Sequence, residues 1–104
     1  MTLRETQSKF AHKLGLLLIY AYEQGYELTL GDAWRPDKRG HKRASNHYIR
    51  LAIDLNLFRN GKYLTSTKAY SVIGEFWESL GSCCAWGGRF NDGCHFSMEW
   101  KGRK

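Results

Sequence analysis

The N-terminal part of the chain places apolar side chains at the spacing of one helical face. Thr2 followed by Glu5 forms a capping-box pattern at its start, and Gly25 supplies a stop at its end. We therefore predict a long amphipathic helix from about Leu3 to Gln24, with its apolar stripe facing the core. The stripe consists of Leu3, Phe10, Leu14, Leu17 and Ala21.

Two later stretches alternate apolar and polar positions with the period of a β-strand. The segment YELTLGDAWRP places Leu28 and Leu30 among polar neighbours and ends at Pro36, which suits a strand that runs out into a loop. Residues 37–46 are polar and basic without periodicity, so we expect an exposed loop there. The next strand has Leu51, Ile53, Leu55 and Leu57 on one face and Ala52, Asp54 and Asn56 on the other.

The second half of the chain predicts a hairpin, a second helix and closing strands. Asn60 and Gly61 are typical of a hairpin turn, Ser66 caps a helix that ends at Gly81, and a turn at residues 91–93 precedes the strand-like segment CHFSMEW. This order predicts an α+β fold in which a small antiparallel sheet packs against two main helices. The length of 104 residues fits one domain, residues 1–104.

Composition narrows the class of protein without selecting a function. A net charge of +6 should attract anionic partners such as nucleic acid, membrane lipid or bacterial wall polymers. We expect no nucleic-acid partner, because no dense basic stripe is interleaved with exposed aromatics. No apolar run approaches the roughly 20 residues that span a bilayer, and no signal peptide precedes the helix. The protein is therefore expected to be made in the cytoplasm without its own export signal.

The candidate chemistry starts with His47 and Asp54 in SNHYIRLAID. On a straight strand this separation spans roughly 23 Å, and on a helix about two turns, so both side chains can reach one ion only if the chain turns between them. An aspartate in a strand committed to the core needs partners. A salt bridge to a neighbour such as Arg50 would also satisfy it, and the pair alone favours that explanation.

A second polar group near the C-terminus changes this interpretation. Asp92 and His95 lie three residues apart, and the turn between them should bring the carboxylate close to the last strand. Two histidines and one carboxylate suit zinc with its fourth position open for water, which is the arrangement of catalytic sites. A further carboxylate near that water is what a hydrolase needs as a general base.

These segments resemble those of a known family. SNHYIRLAID resembles the SxHxxGxAxD motif of the zinc peptidases that share the hedgehog/D-alanyl-D-alanine peptidase fold, and WGGRFNDGCHF resembles their closing W-G-G-x-F-x-D-x-x-H-F. GDAWRP resembles the strand that ends in the family's substrate-facing arginine, here Arg35. Two positions depart from the pattern: Arg50 replaces the usual glycine, and Ser97 stands where relatives often carry Glu or Gln.

The resemblance implies a role for each matching residue. Asp92 would act as the catalytic base, and Arg35 would stabilise the oxyanion or hold a substrate carboxylate. Ser45 would support the metal ligands by a hydrogen bond, with a loop-capping hydroxyl as the structural alternative. The ligands of Zn²⁺ would be His47, Asp54 and His95.

Within this family, the chain resembles the compact bacteriophage endolysin that cuts L-alanyl-D-glutamate bonds in the stem peptides of peptidoglycan. The resemblance therefore implies a zinc metallopeptidase that lyses the host. A D,D-carboxypeptidase or dipeptidase on the same scaffold, and a non-catalytic metal-containing module that binds the wall, are the alternatives. We expect a monomer that reaches the cell wall with the help of a holin, or that is carried in a virion.

Overall fold

The computed structural model describes residues 1–33 and 46–102, and these residues form an α+β fold in which two helices pack together with a small antiparallel sheet. This confirms the predicted fold class. The helices are α1 (Leu3–Glu23) and α2 (Ser71–Ser79). The strands are β1 (Glu27–Leu30), β2 (Ala52–Arg59), β3 (Lys62–Leu64), β4 (Cys84–Trp86) and β5 (His95–Met98).

The sheet has the strand order β1-β2-β5-β4, and β3 also pairs with β2. Strand β5 pairs antiparallel with the start of β2, while β3 pairs with its end. The register places Asp54 directly opposite His95. Because directly opposed residues of an antiparallel pair carry their side chains on the same face, the sheet itself brings these two side chains together.

Helix α1 begins and ends where its local sequence predicts. The Glu5 N–H donates to the Thr2 hydroxyl and the Thr2 N–H donates to the Glu5 carboxylate, at 3.1 and 2.8 Å, which confirms the capping box. After the helix, Gly25 adopts a φ of 88°, a conformation that favours glycine. The predicted stripe faces the core: Phe10, Leu17 and Ala21 are buried, and Leu3 and Leu14 are half-buried.

The hairpin and the second helix are also confirmed, with one difference. Asn60 and Gly61 both have positive φ, as a tight hairpin turn requires. The Ser66 hydroxyl accepts a hydrogen bond from the Ala69 N–H as predicted, but the first turn, Thr67–Tyr70, is a 3-10 turn and α2 starts only after it. Within the described part of the chain, no helix combines the length and the apolar character that a membrane span needs.

Arg50 occupies a backbone conformation that glycine adopts readily. Its φ is 57° and its side chain is exposed, between the turn that carries His47 and the start of β2. Arg50 therefore adopts the left-handed backbone conformation at the position where the SxHxxGxAxD motif has glycine. An L-residue in this region costs about 1–2 kcal/mol.

Substitutions at Arg50 should reveal this strain. In Arg50→Gly, relief of the strain is offset by the greater freedom of the unfolded chain, so the free energy of unfolding should change by less than about 1 kcal/mol. Arg50→Val should lose about 1–3 kcal/mol, because a β-branched residue is disfavoured at positive φ. Urea unfolding of the two variants measures the difference, and equal stabilities would contradict a left-handed Arg50.

Candidate metal centre

Three side chains from separate parts of the chain converge where β2 meets β5. His47 lies on a 3-10 turn, Asn46–Ile49, Asp54 lies in β2, and His95 is the first residue of β5. One ligand atom from each of them lies within 4.8 Å of the other two. Among residues 1–33 and 46–102, this is the one group of three or more His, Cys, Asp or Glu side chains close enough to share an ion. The chain thus turns between His47 and Asp54, as their spacing requires.

The distances within the group fit metal ligands. Nε2 of His47 and Nδ1 of His95 each lie 3.5 Å from Oδ1 of Asp54. A charge-assisted N–H···O bond is shorter, about 2.7–2.9 Å. Zinc bonds of about 2.0–2.2 Å in tetrahedral geometry separate neighbouring ligand atoms by about 3.3–3.6 Å. The spacing therefore suits three ligands of one ion better than two ion pairs.

The two histidines are buried and the carboxylate is partly exposed. His47 and His95 are 5% and 8% exposed, whereas the Asp54 side chain is 29% exposed, so the group borders solvent through Asp54. Burial of this carboxylate would raise its pKa, but the two histidines beside it outweigh burial and hold the pKa well below its usual range. Asp54 is therefore ionised, the state in which a carboxylate binds a metal ion.

Asp92 is attached to the ligand His95 through the backbone. Its N–H donates to the Gly87 carbonyl at 2.8 Å, and its own carbonyl accepts from the His95 N–H at 3.1 Å. The Asp92 side chain is exposed, and its carboxylate lies outside the three-residue group. Backbone hydrogen bonds therefore hold the loop of Asp92 against β5, the strand that carries His95. The Asp92 carboxylate itself faces solvent.

Cys94 makes a polar contact that the sequence did not predict. Cys94 is half-buried, and its Sγ donates to Oδ1 of Asp92 at 3.4 Å. Burial, the negative charges of Asp54 and Asp92, and the contact with Asp92 raise the pKa of the Cys94 thiol to about 12. Cys94 lies outside the three-residue group, which contains none of the described cysteines.

Two other predicted site residues, Arg35 and Ser45, lie outside the described residues, as do residues 37–45 of the predicted loop. Asn46, the last residue of the predicted exposed loop, is within the described part of the chain, and there the prediction was wrong. Asn46 is 1% exposed and begins the 3-10 turn. The prediction was wrong here because the Asn46 amide donates to the carbonyl of Met98, a partner far away in sequence that no local pattern indicates.

Sequence reasoning assigned no site role to Phe90. Its ring is 54% exposed and lies 5.9 Å from the His95 ring, at the edge of the candidate centre. The sequence feature that could have indicated a site role for Phe90 is its position in WGGRF, five residues before His95.

The two glycines of WGGRF are needed for close packing beside the site. A Cβ on Gly87 would overlap the Asp92 carbonyl oxygen and come within 2.7 Å of Cβ of His95, and a Cβ on Gly88 would overlap the Trp86 ring. The Trp86 indole N–H in turn donates to the Gly93 carbonyl at 2.8 Å. The motif thus packs the loop of Asp92 against the strand that carries His95.

Gly87→Ala should therefore damage the site. We expect a loss of about 1–3 kcal/mol in the free energy of unfolding from overpacking, and zinc affinity reduced about 10-fold or more because His95 is displaced. Chelator competition measures the affinity. Gly15→Ala is the control: its new methyl group meets no atom within 4 Å, and alanine should stabilise α1 by up to about 1 kcal/mol. Parent-like affinity and stability in Gly87→Ala would contradict the tight packing.

The comparison with known families agrees with this geometry. The family match and the His-Asp-His group able to hold a metal ion together indicate a metallopeptidase, a class of hydrolase. Residues 39–98, more than half of the chain, match the family model described as D-alanyl-D-alanine carboxypeptidase, and the chain belongs to that family. The matched range contains all three grouped residues. No curated protein matches the chain.

Proposed function

We propose that this protein is a zinc-dependent peptidoglycan peptidase that cleaves the L-alanyl-D-glutamate bond of stem peptides and serves as a phage endolysin. The observation that carries the proposal is the convergence of His47, Asp54 and His95 in a chain of a peptidase family. The choice of bond rests on the resemblance of its motifs to those of compact endolysins.

The donor set suits zinc as the resident metal. His47, Asp54 and His95 would hold the ion, and imidazole nitrogen and carboxylate oxygen are ligands that zinc accepts. When bound, zinc supplies a Lewis acid and lowers the pKa of a coordinated water towards about 7. Since only one of the three ligands is anionic, the chain leaves most of the ion's positive charge for catalysis.

Asp92 is assigned to proton transfer. Its carboxylate accepts the proton of the attacking water and passes it to the leaving nitrogen, so that an amine departs rather than an unstable amide anion. The hydrogen bond from the His95 N–H to the Asp92 carbonyl keeps base and ligand on one rigid unit. The exposed position of the side chain gives a bound peptide access to it.

Arg35 and Ser45 are assigned supporting roles from their motifs. The planar guanidinium of Arg35 can hold a carboxylate in two parallel hydrogen bonds or stabilise a developing oxyanion. Ser45 can donate a hydrogen bond to the turn that carries His47. Stem peptides carry free carboxylates, and the net charge of +6 favours their approach.

The biological setting follows from the endolysin role. We place synthesis in the host cytoplasm and action on the cell wall, reached through a holin-dependent lesion or from a virion. The enzyme is proposed to act as a monomer.

Digestion of purified peptidoglycan tests the proposed bond. Mass spectrometry of the products should reveal new N-terminal D-glutamate, with Asp92→Asn protein prepared in parallel to exclude contaminating hydrolases. Release of free D-alanine instead would support the second candidate, a D,D-carboxypeptidase, which the description of the family favours. Zinc binding without any product would indicate the wall-binding module.

A further inference from the structure

Asn46 is a buried polar residue beside a proposed metal ligand. It is 1% exposed and immediately precedes His47. Its amide Nδ2 donates to the backbone carbonyl of Met98, the last residue of β5, at 2.7 Å. A short and buried bond of this kind is well protected from water and therefore stronger than an exposed one.

Three hydrogen bonds form a closed ring around this residue. The Leu51 N–H donates to the Asn46 carbonyl at 2.9 Å, and the Met98 N–H donates to the Leu51 carbonyl at 2.9 Å. The bond from the Asn46 amide to the Met98 carbonyl closes the ring. All three residues are at most 4% exposed. The side chain of Asn46 is the one member of the ring that a substitution can remove.

The ring joins the three segments that carry the grouped side chains. His47 lies in the turn between Asn46 and Leu51, and Leu51 directly precedes β2, the strand that carries Asp54. His95 begins β5, the strand that Met98 ends. The register of the sheet already aligns Asp54 with His95. His47 lies outside the sheet, so its placement depends on the contacts of its turn. These include the Asn46 bond to β5 and a bond from the Gln7 amide of α1 to the Ile49 carbonyl at 2.7 Å.

We infer that Asn46 is a positioning residue for the metal centre, whose amide holds the His47 turn at the distance at which all three side chains bind one divalent ion. The inference rests on the proposed function. Groups that orient metal ligands typically contribute 10–100-fold to metal affinity, so Asn46→Ala should weaken zinc binding by about this factor. The loss should exceed what general destabilisation of the fold produces.

Trp77→Phe is the matched control. The Trp77 indole N–H donates to the backbone carbonyl of Ser97 at 3.0 Å, so it is also a buried side-chain bond to β5. Trp77 lies in α2, and this helix carries none of the proposed metal ligands. Asn46→Ser, which keeps a shorter hydroxyl donor, provides a second and milder variant with an intermediate expected affinity.

Chelator competition with Zn²⁺ alone, on protein shown to be folded by near-ultraviolet circular dichroism, tests the inference. Asn46→Ala should bind about 10–100-fold more weakly than the parent, and Trp77→Phe within about threefold of it. Equal affinities in the parent and Asn46→Ala, or equal losses in Asn46→Ala and Trp77→Phe, would overturn the role of Asn46 while leaving the proposed function intact. If Asn46→Ala does not fold, parent-like affinity in Asn46→Ser would overturn it. A parent protein that binds no zinc would overturn the proposed function and this inference together.

Discussion

Asp92→Asn should reduce peptidoglycan cleavage by about 10²–10⁴-fold, the usual contribution of a general base, while zinc affinity stays at the parent level. The amide cannot take a proton from water, but it keeps the size of the side chain and an oxygen that can accept the Cys94 Sγ contact. The measurement is the rate of release of new amino termini from wall material, together with a zinc titration of the same preparation.

Glu75→Gln is the control for this experiment, because it neutralises an exposed acid on α2. Its rate should equal that of the parent. Parent-like cleavage by Asp92→Asn would assign the base to another residue. Loss of zinc together with cleavage would assign Asp92 to holding the metal rather than to proton transfer.

His95→Ala should eliminate both metal binding and cleavage. With one of three ligands removed, affinity should fall further than the 10–100-fold that supporting residues cost. Binding to the folded state alone stabilises by about 2.7 kcal/mol at a ligand concentration 100 times Kd. For a chain of this length that is a rise of roughly 10–20 °C in Tm, which the parent should show on adding zinc and His95→Ala should not.

His12→Ala is the matched control, since His12 is an exposed histidine on α1. It should keep the full zinc-dependent rise in Tm. A chelator should stop cleavage by the parent, and added zinc should restore it. A parent enzyme that keeps cutting after its metal is stripped, or a parent-like zinc response in His95→Ala, would contradict the assigned centre.

The features that the sequence predicts well depend on neighbouring residues. The capping box of Thr2 and Glu5 and the turn at Asn60 and Gly61 act within four residues, so their chemistry can be recognised without the fold. The alternation in β2 likewise places Asp54 on the face opposite the apolar residues. For these elements, local preference and the final packing agree.

The candidate site needed more than local pattern. Spacing alone indicated that the chain must turn between His47 and Asp54, and it offered His95 as a second histidine near the C-terminus. The assignment of all three residues as ligands of one ion came from the resemblance between motifs. The pairing of β2 with β5 that places His95 opposite Asp54 is a contact between distant segments. No periodicity in the sequence specifies that register.

The features that the sequence did not predict share a cause, which is dependence on distant partners. Asn46 looks like the end of a polar loop until Met98 is placed beside it. Ser97 was noted only as a departure from the family pattern, yet it is fully buried between its neighbours Ala52 and Ala85 on β2 and β4. Such residues take their roles from tertiary contacts that a single sequence does not reveal.

A crystal structure of the protein grown with zinc tests the central claim most directly, through anomalous diffraction at the zinc absorption edge. The account predicts one strong peak about 2.0–2.2 Å from Nε2 of His47, Oδ1 of Asp54 and Nδ1 of His95. Those three side chains without a peak between them, or zinc bound elsewhere in a crystal of active enzyme, would contradict it.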